Sequence, residues 1–174
     1  ILKLMNRKHD IKEYLRTFEK LKQINPSIEF SSDFIIGYPG EDDQDFKDTI
    51  DLIKKINFIN SFSFIFSPRP GTVADNLEII NKEVSIKRLE TVQKLLSENQ
   101  IKNNKSLENH TINVLVENLT EDKTKAFGRS EHMTPVFFNG KQDDIGKIVQ
   151  VKITDSNRNS LFGELINISK KKVA

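Results

Sequence analysis

The sequence contains no cysteine, which excludes disulfides and any thiolate-ligated metal within these residues. Tryptophan is missing too, so most of the aromatic volume falls to twelve phenylalanines. Three scattered histidines, His9, His110 and His132, show no ligand spacing such as HxxxH. A surface or capping role is expected of each, and no metal site. No apolar run approaches the roughly 20 residues of a membrane-spanning helix, and no basic-then-apolar leader opens the chain; the expectation is a cytoplasmic protein without a membrane partner. Charge of one sign is scarce as well. A formal net charge of +2 is too small to announce nucleic acid, so any RNA-binding face has to come from local placement of Lys and Arg.

What is present suits a folded chain. Hydrophobic residues at 36% and charged residues at 30% describe a core-forming composition. A length of 174 residues accommodates one ordinary domain, or a small domain joined to a piece of a larger one. The chain begins at Ile1 inside a running helical pattern, so the true N-terminus is expected elsewhere, and with it the chemistry.

Ile11, Tyr14, Leu15, Phe18, Leu21 and Ile24 recur at helical spacing, which predicts an amphipathic helix over about 10–24, ended by Asn25-Pro26. Ile28 to Tyr38 reads as a buried strand running into the loop Gly37-Tyr38-Pro39-Gly40. Acidic residues 41–43 open a second helix with the stripe Phe46, Ile50, Ile53, Ile56, and Ser61 to Phe66 follows as a strand. Strand, helix, strand at this length is the βαβ unit of a parallel sheet. The first half therefore looks like the last units of a larger α/β barrel. A charged helix over about 82–104, with Val84, Leu89, Val92 and Leu95 or Leu96 on one side, precedes a linker-like Asn103-Asn104-Lys105-Ser106. Beyond 108 come five short strands, 111–117, 125–127, 135–138, 148–154 and 161–165, which predict a small OB-like barrel. The closing Lys170-Lys171-Lys172 reads as a solvated tail.

Two loops leave strands at the C-terminal edge of the sheet, where α/β folds hold ligands. In the first, Gly37 and Gly40 let backbone approach a ligand closely, and Glu41 or Asp33 can accept hydrogen bonds from a hydroxyl or amine. The bland alternative is a Pro-Gly turn whose acids cap the next helix. The second, Phe66-Ser67-Pro68-Arg69-Pro70-Gly71-Thr72, is stiffened by two prolines and offers Arg69 as a fork for phosphate or carboxylate; its bland reading is a rigid connection with a solvated Arg.

At these residues a family resemblance becomes specific. Leu4-Met5-Asn6-Arg7, Tyr14-Leu15, the block from Asp33 to Glu41, Phe46 and Thr49, and the segment from Phe66 to Ala74 resemble the C-terminal half of the radical-SAM domain of the methylthiotransferases. Gly128-Arg129-Ser130, Gly146, Val151 to Thr154 and Ser160 to Glu164 resemble the TRAM RNA-binding module. The form of the second loop and the segment from Gly128 to Phe138 resemble the branch acting on N6-isopentenyladenosine at position 37 of tRNA, although Tyr38 stands where Phe is usual.

The resemblance implies an α/β fold: C-terminal units of a partial (β/α) radical-SAM barrel over residues 1–104, then a small all-β OB-like TRAM barrel over 107–174. It implies S-adenosyl-L-methionine and two [4Fe-4S] clusters in the full-length enzyme, one to generate a radical and one to supply sulfur, with all their cysteines upstream of Ile1. No catalytic residue is then expected here, and this chain alone is expected to be inactive. Asp33, Ile35, Ile36, Gly37 and Glu41 are the expected cofactor-binding residues, with Ile35 and Ile36 near the adenine. Arg69, Arg129, Lys147, Lys152 and Arg158 are the expected contacts to tRNA at its anticodon stem-loop, with Phe137 or Phe138 meeting a base. Oligomeric state is not legible. The rival readings are a related methylthiotransferase acting on another tRNA adenosine or a ribosomal protein, and a non-enzymatic RNA-binding module.

Overall fold

The computed structural model describes residues 1–166, so the expected tail at Lys170 to Lys172 lies outside the described residues. The elements follow in the order α1 (Ile11–Ile24), β1 (Asp33–Ile36), α2 (Asp43–Ile56), β2 (Phe62–Ile65), α3 (Lys82–Ser106), β3 (Thr111–Leu119), β4 (Ala126–Ser130), β5 (Pro135–Phe138), β6 (Ile148–Ser156) and β7 (Leu161–Leu165). They form two compact units, residues 1–96 and residues 97 onward.

In the first unit β1 and β2 pair in parallel, from Asp33 opposite Phe62 to Ile36 opposite Ile65, with α2 as the crossover. Helix starts are written locally: Asp10 with Glu13, and Asp42 with Asp45, each close a reciprocal capping box. Strand alternation then splits the sheet into two faces. Phe34 and Ile36 pack with Ile53, Ile56, Phe58, Val92 and Leu96, whereas Ile35, Phe62 and Phe64 on the other face stay 36%, 63% and 54% exposed. Three expectations are corrected. The opening residues form turns rather than helix, with Asn6 in the left-handed region at φ 55°. Only residues 33–36 of the run 28–38 enter the ladder. Val84 is 39% exposed, and Ser85 and Arg88 take the inward side of that turn of α3.

The second unit is a closed barrel in the order β3-β4-β5-β7-β6, with β5 and β7 parallel and the other pairs antiparallel. This is the OB-like barrel expected from the strand spacing. Val114, Val116, Ala126, Val136, Phe138, Val151, Ile153 and Leu161 fill its interior. Register shifts in β3 after Val116 and in β6 after Ile153 bend the strands. Gly128 and Gly163 sit opposite these bulges, where a Cβ would strike the carbonyl oxygens of Leu115 and Lys152. Residues 103–106 are helical rather than a linker. Asn104 is fully buried, and its Nδ2 donates to the carbonyls of Asn157 at 2.8 Å and Arg158 at 3.1 Å.

Candidate functional site

The parallel register brings the two ligand-type loops side by side. The Phe66 amide donates to the Ile36 carbonyl at 2.8 Å, and the Tyr38 and Phe66 rings meet edge to face at 4.9 Å. Gly37 has φ +72°, and a Cβ there would lie 2.5 Å from Ser85 Oγ. Glycine is therefore required at this position both by the backbone and by the close approach of α3.

Glu41 does not present its carboxylate outward. Its Oε2 accepts the Gly37 amide at 3.0 Å and its Oε1 accepts Arg88 Nη1 at 2.8 Å. The same guanidinium reaches Asp43 Oδ1 at 2.6 Å and lies over the Phe46 ring. Burial works to lower the Arg88 pKa, but hydrogen bonds to Asp43 and Glu41 outweigh it and hold the group above its ordinary value. Asp42 caps α2. The acids of this loop thus make the contacts of its bland reading: they tie the turn together and start a helix.

The other expected cofactor residues separate. Ile35 lies on the open face, beside Phe64 in the register, whereas Ile36 is 1% exposed in the core and can offer only backbone. Asp33 is exposed at the first position of β1, about 10 Å of strand away from the loop. Arg69 is exposed; its carbonyl accepts from Thr72, and no partner of its side chain is found among the described residues. Arg88 and Ser85 were missed, because a charged residue and a small one in a charged helix read as solvent face.

On the barrel, Arg129 donates from Nε to Glu117 at 3.3 Å and from Nη1 to the Met133 carbonyl at 3.3 Å, with its guanidinium 5.8 Å from the Phe127 ring centre. Lys147 is exposed just before β6, and Lys152 is exposed opposite Glu164. Arg158 is exposed in the β6–β7 turn. Arg129 and Ile148 both pair with Leu115, so Arg129 and the start of β6 lie two strand spacings apart, about 10 Å. Lys152 stands further along β6, and Arg158 in the turn beyond its end. Of the two adjacent phenylalanines, Phe138 is in the core at 2% exposure and Phe137 faces out.

Sequence reasoning also missed what surrounds Phe137. Its ring lies 5.3 Å from Phe127 and 5.9 Å from Phe162, and Lys125 Nζ stands 5.9 Å from the Phe162 ring centre. The signal is present in the alternation of Lys125, Phe127 and Arg129, which the expected strand over 125–127 cuts off before Arg129, whereas β4 runs to Ser130. Among the described residues no cluster of His, Asp and Glu could hold a metal ion, and no helix is long and apolar enough to cross a membrane.

Comparison with known proteins follows this division. Residues 1–53 match the radical SAM superfamily and residues 105–166 match the TRAM domain. The whole chain is 64% identical to a tRNA-2-methylthio-N(6)-dimethylallyladenosine synthase of Pelagibacter ubique (strain HTCC1062), of which it covers 39%. Proteins of the same name from Ruthia magnifica subsp. Calyptogena magnifica and Rickettsia canadensis (strain McKiel) are 46% and 42% identical over 95% of the chain, which covers 38% and 37% of them. The chain thus spans less than two fifths of the length of these relatives.

Proposed function

We propose that this chain, in which part of a radical SAM domain is followed by a TRAM domain, belongs to a methylthiotransferase that converts N6-isopentenyladenosine at position 37 of tRNA to its 2-methylthio derivative. One observation carries the reading: identity of 64% extends over all 174 residues to a relative named for that product. The adjacent loops after β1 and β2 and the closed barrel are the features such a role needs.

Within the proposal each half has its own task. Ile35 and Phe64 offer an exposed apolar surface to the adenine of S-adenosyl-L-methionine, and the Gly37 loop, held by Glu41 and Arg88, keeps that edge in shape. Both oxygens of Glu41 are occupied within the protein, so the cofactor is held here by apolar contact and backbone rather than by this carboxylate. Arg69 is available to a phosphate of the tRNA. Arg129 and Lys147 hold the anticodon stem-loop through its backbone, with Lys152 and Arg158 extending the contact. Iron–sulfur clusters do not fit this chain's own residues, since it has no cysteine; clusters held by cysteine thiolates elsewhere in the full-length protein would supply the radical and sulfur chemistry.

Two measurements test the proposal. Nucleoside mass spectrometry of tRNA from cells with and without the full-length gene is expected to show the 2-methylthio derivative only when the gene is present; an unchanged nucleoside profile overturns the assignment. In the full-length protein Ile35→Asp is expected to weaken S-adenosyl-L-methionine binding at least tenfold by placing a charge against the adenine. Unchanged affinity in a folded variant sinks the role given to the open face.

A further inference from the structure

The outer surface of the barrel is polar at Thr111, Asn113, Gln150, Lys152, Thr154 and Glu164. Apart from the exposed apolar pair Leu115 and Ile148 on β3 and β6, it changes character only across three neighbouring strands. Phe127 on β4, Phe137 on β5 and Phe162 on β7 stand opposite one another in register, and their rings form a continuous row. The Phe137 and Phe162 planes lie within 22° of parallel, and Phe127 is tilted by 51° to Phe137. The barrel core does not need these rings, because Phe138, Val136 and Leu161 from the same strands already fill it. None of the three is fully buried. Cations flank the row: Lys125 lies over Phe162, and Arg129 lies over Phe127.

We infer that this row is a stacking surface for unpaired RNA bases, with Lys125 and Arg129 holding the flanking phosphates. The inference rests on the RNA-binding reading of the barrel and adds to it the form of nucleic acid recognised. A base within a duplex has both faces covered by its neighbours, so it cannot lie on a protein ring. A splayed base of a loop or single strand can. A row three strands wide spans about 10 Å and accommodates about two bases. The basic groups at both ends match a polyanion rather than the apolar side of a partner protein. Arg129 retains donors for this role: Nε and Nη1 are engaged by Glu117 and the Met133 carbonyl, which fixes the guanidinium plane over Phe127.

The test uses all 174 residues and three fluorescein-labelled RNAs: an unpaired 12-mer, a blunt duplex of the same length, and a hairpin with a seven-nucleotide loop. Anisotropy titrations are expected to show tighter binding of the 12-mer and the hairpin than of the duplex. Phe137→Leu keeps an apolar side chain but removes the flat face, and is expected to weaken 12-mer binding about tenfold. Phe137→Tyr keeps the face and is expected to stay within about twofold of the parent. Phe162→Leu gives the same reading should Phe137→Leu fail to fold. Equal affinity for duplex and 12-mer, or undiminished 12-mer binding by a folded leucine variant, overturns the inference. In that case loss of binding in Lys125→Ala and Arg129→Ala would leave the RNA-binding reading intact, with contacts to backbone alone. Failure of all three RNAs to bind overturns both, and the row would then fit a protein partner.

Discussion

Glu41 illustrates how a residue's chemistry is decided by its neighbours. An acid beside a Gly-rich turn at a strand edge is a reasonable ligand contact, but here a buried arginine and a backbone amide consume both of its oxygens. Removing Arg88 strands that carboxylate in the interior, so Arg88→Ala is expected to destabilise the protein by about 3 kcal/mol. Asp43 shares the guanidinium but its own side chain is fully solvated, and Asp43→Ala is expected to cost much less than Arg88→Ala. Urea unfolding of the two variants checks the ranking; equal losses would mean that the buried pair is not closed in solution. Gly37 carries a related lesson. A bulky substitution there meets Ser85 before it meets any ligand, so Gly37→Val reports on loop packing rather than on cofactor access. Asp122, in the β3–β4 turn, makes a prediction about pH. Hydrogen bonds from the Thr120 hydroxyl and from the Thr124 amide and hydroxyl hold its carboxyl down to about 2. Since the folded value lies below the ordinary 3.8, the ionised group stabilises the turn above that value. The contribution is lost as pH falls through about 2. A carboxyl-carbon titration by NMR is expected to give that midpoint, and Thr124→Ala to move it upward; a midpoint of 3.8 in the parent would show the turn open.

At the scale of elements, alternation along a strand distributes adjacent, chemically identical residues to opposite fates. Phe138 fills the barrel and Phe137 faces out. Phe138→Ala is therefore expected to cost about 3–5 kcal/mol through the cavity it leaves, while Phe137→Ala costs well under half of that. Thermal unfolding of the pair checks it, and similar losses would mean that the outer row is as closely packed as the core. Helix α3 makes the corresponding point at its C-terminal end. Asparagine is a poor helix former and a frequent linker residue, which is why residues 103–106 read as a connection. Instead, Asn104 closes the carbonyls of Asn157 and Arg158, and Asn104→Ala, which leaves them without that donor, is expected to cost about 1–3 kcal/mol. No loss of stability would mean that the β6–β7 turn is held by other contacts.

For the whole molecule, the two units differ in how completely they cover their own surfaces. The barrel closes on itself and has no free sheet edge. The first unit is a two-stranded parallel sheet with helices on one face, and it leaves Ile35, Phe62 and Phe64 open. Exposed apolar sheet of this kind favours association. Residues 97–174, taken together so that Asn104 is retained, are expected to melt cooperatively by themselves, and residues 1–96 to aggregate. A soluble, cooperatively melting 1–96 segment would show that the open face is tolerated. The 174 residues, without cysteine, are expected to take up no iron–sulfur cluster when reconstituted with iron and sulfide; a visible charge-transfer absorption would contradict that.

Patterns with a short physical range were legible from residues alone. Apolar periodicity marked α1, α2 and α3. Asp-rich starts marked the capped end of α2, and five strand segments between polar turns marked the barrel, two of them with the bounds observed. Each of these depends on neighbours within a few positions of the chain, where geometry is set by backbone sterics and local hydrogen bonds. The two loops could also be assigned to one edge, because parallel strands joined by a crossover helix must point the same way. What the tertiary structure alone decided involves partners distant in the chain. Arg88 meets Glu41 across 47 positions, Ser85 closes on Gly37, Asn104 reaches Asn157, and Phe127, Phe137 and Phe162 line up through the barrel's register. Whether an acid is free or engaged, and whether a ring is core or surface, depends on which element folds over it, and no local pattern carries that information.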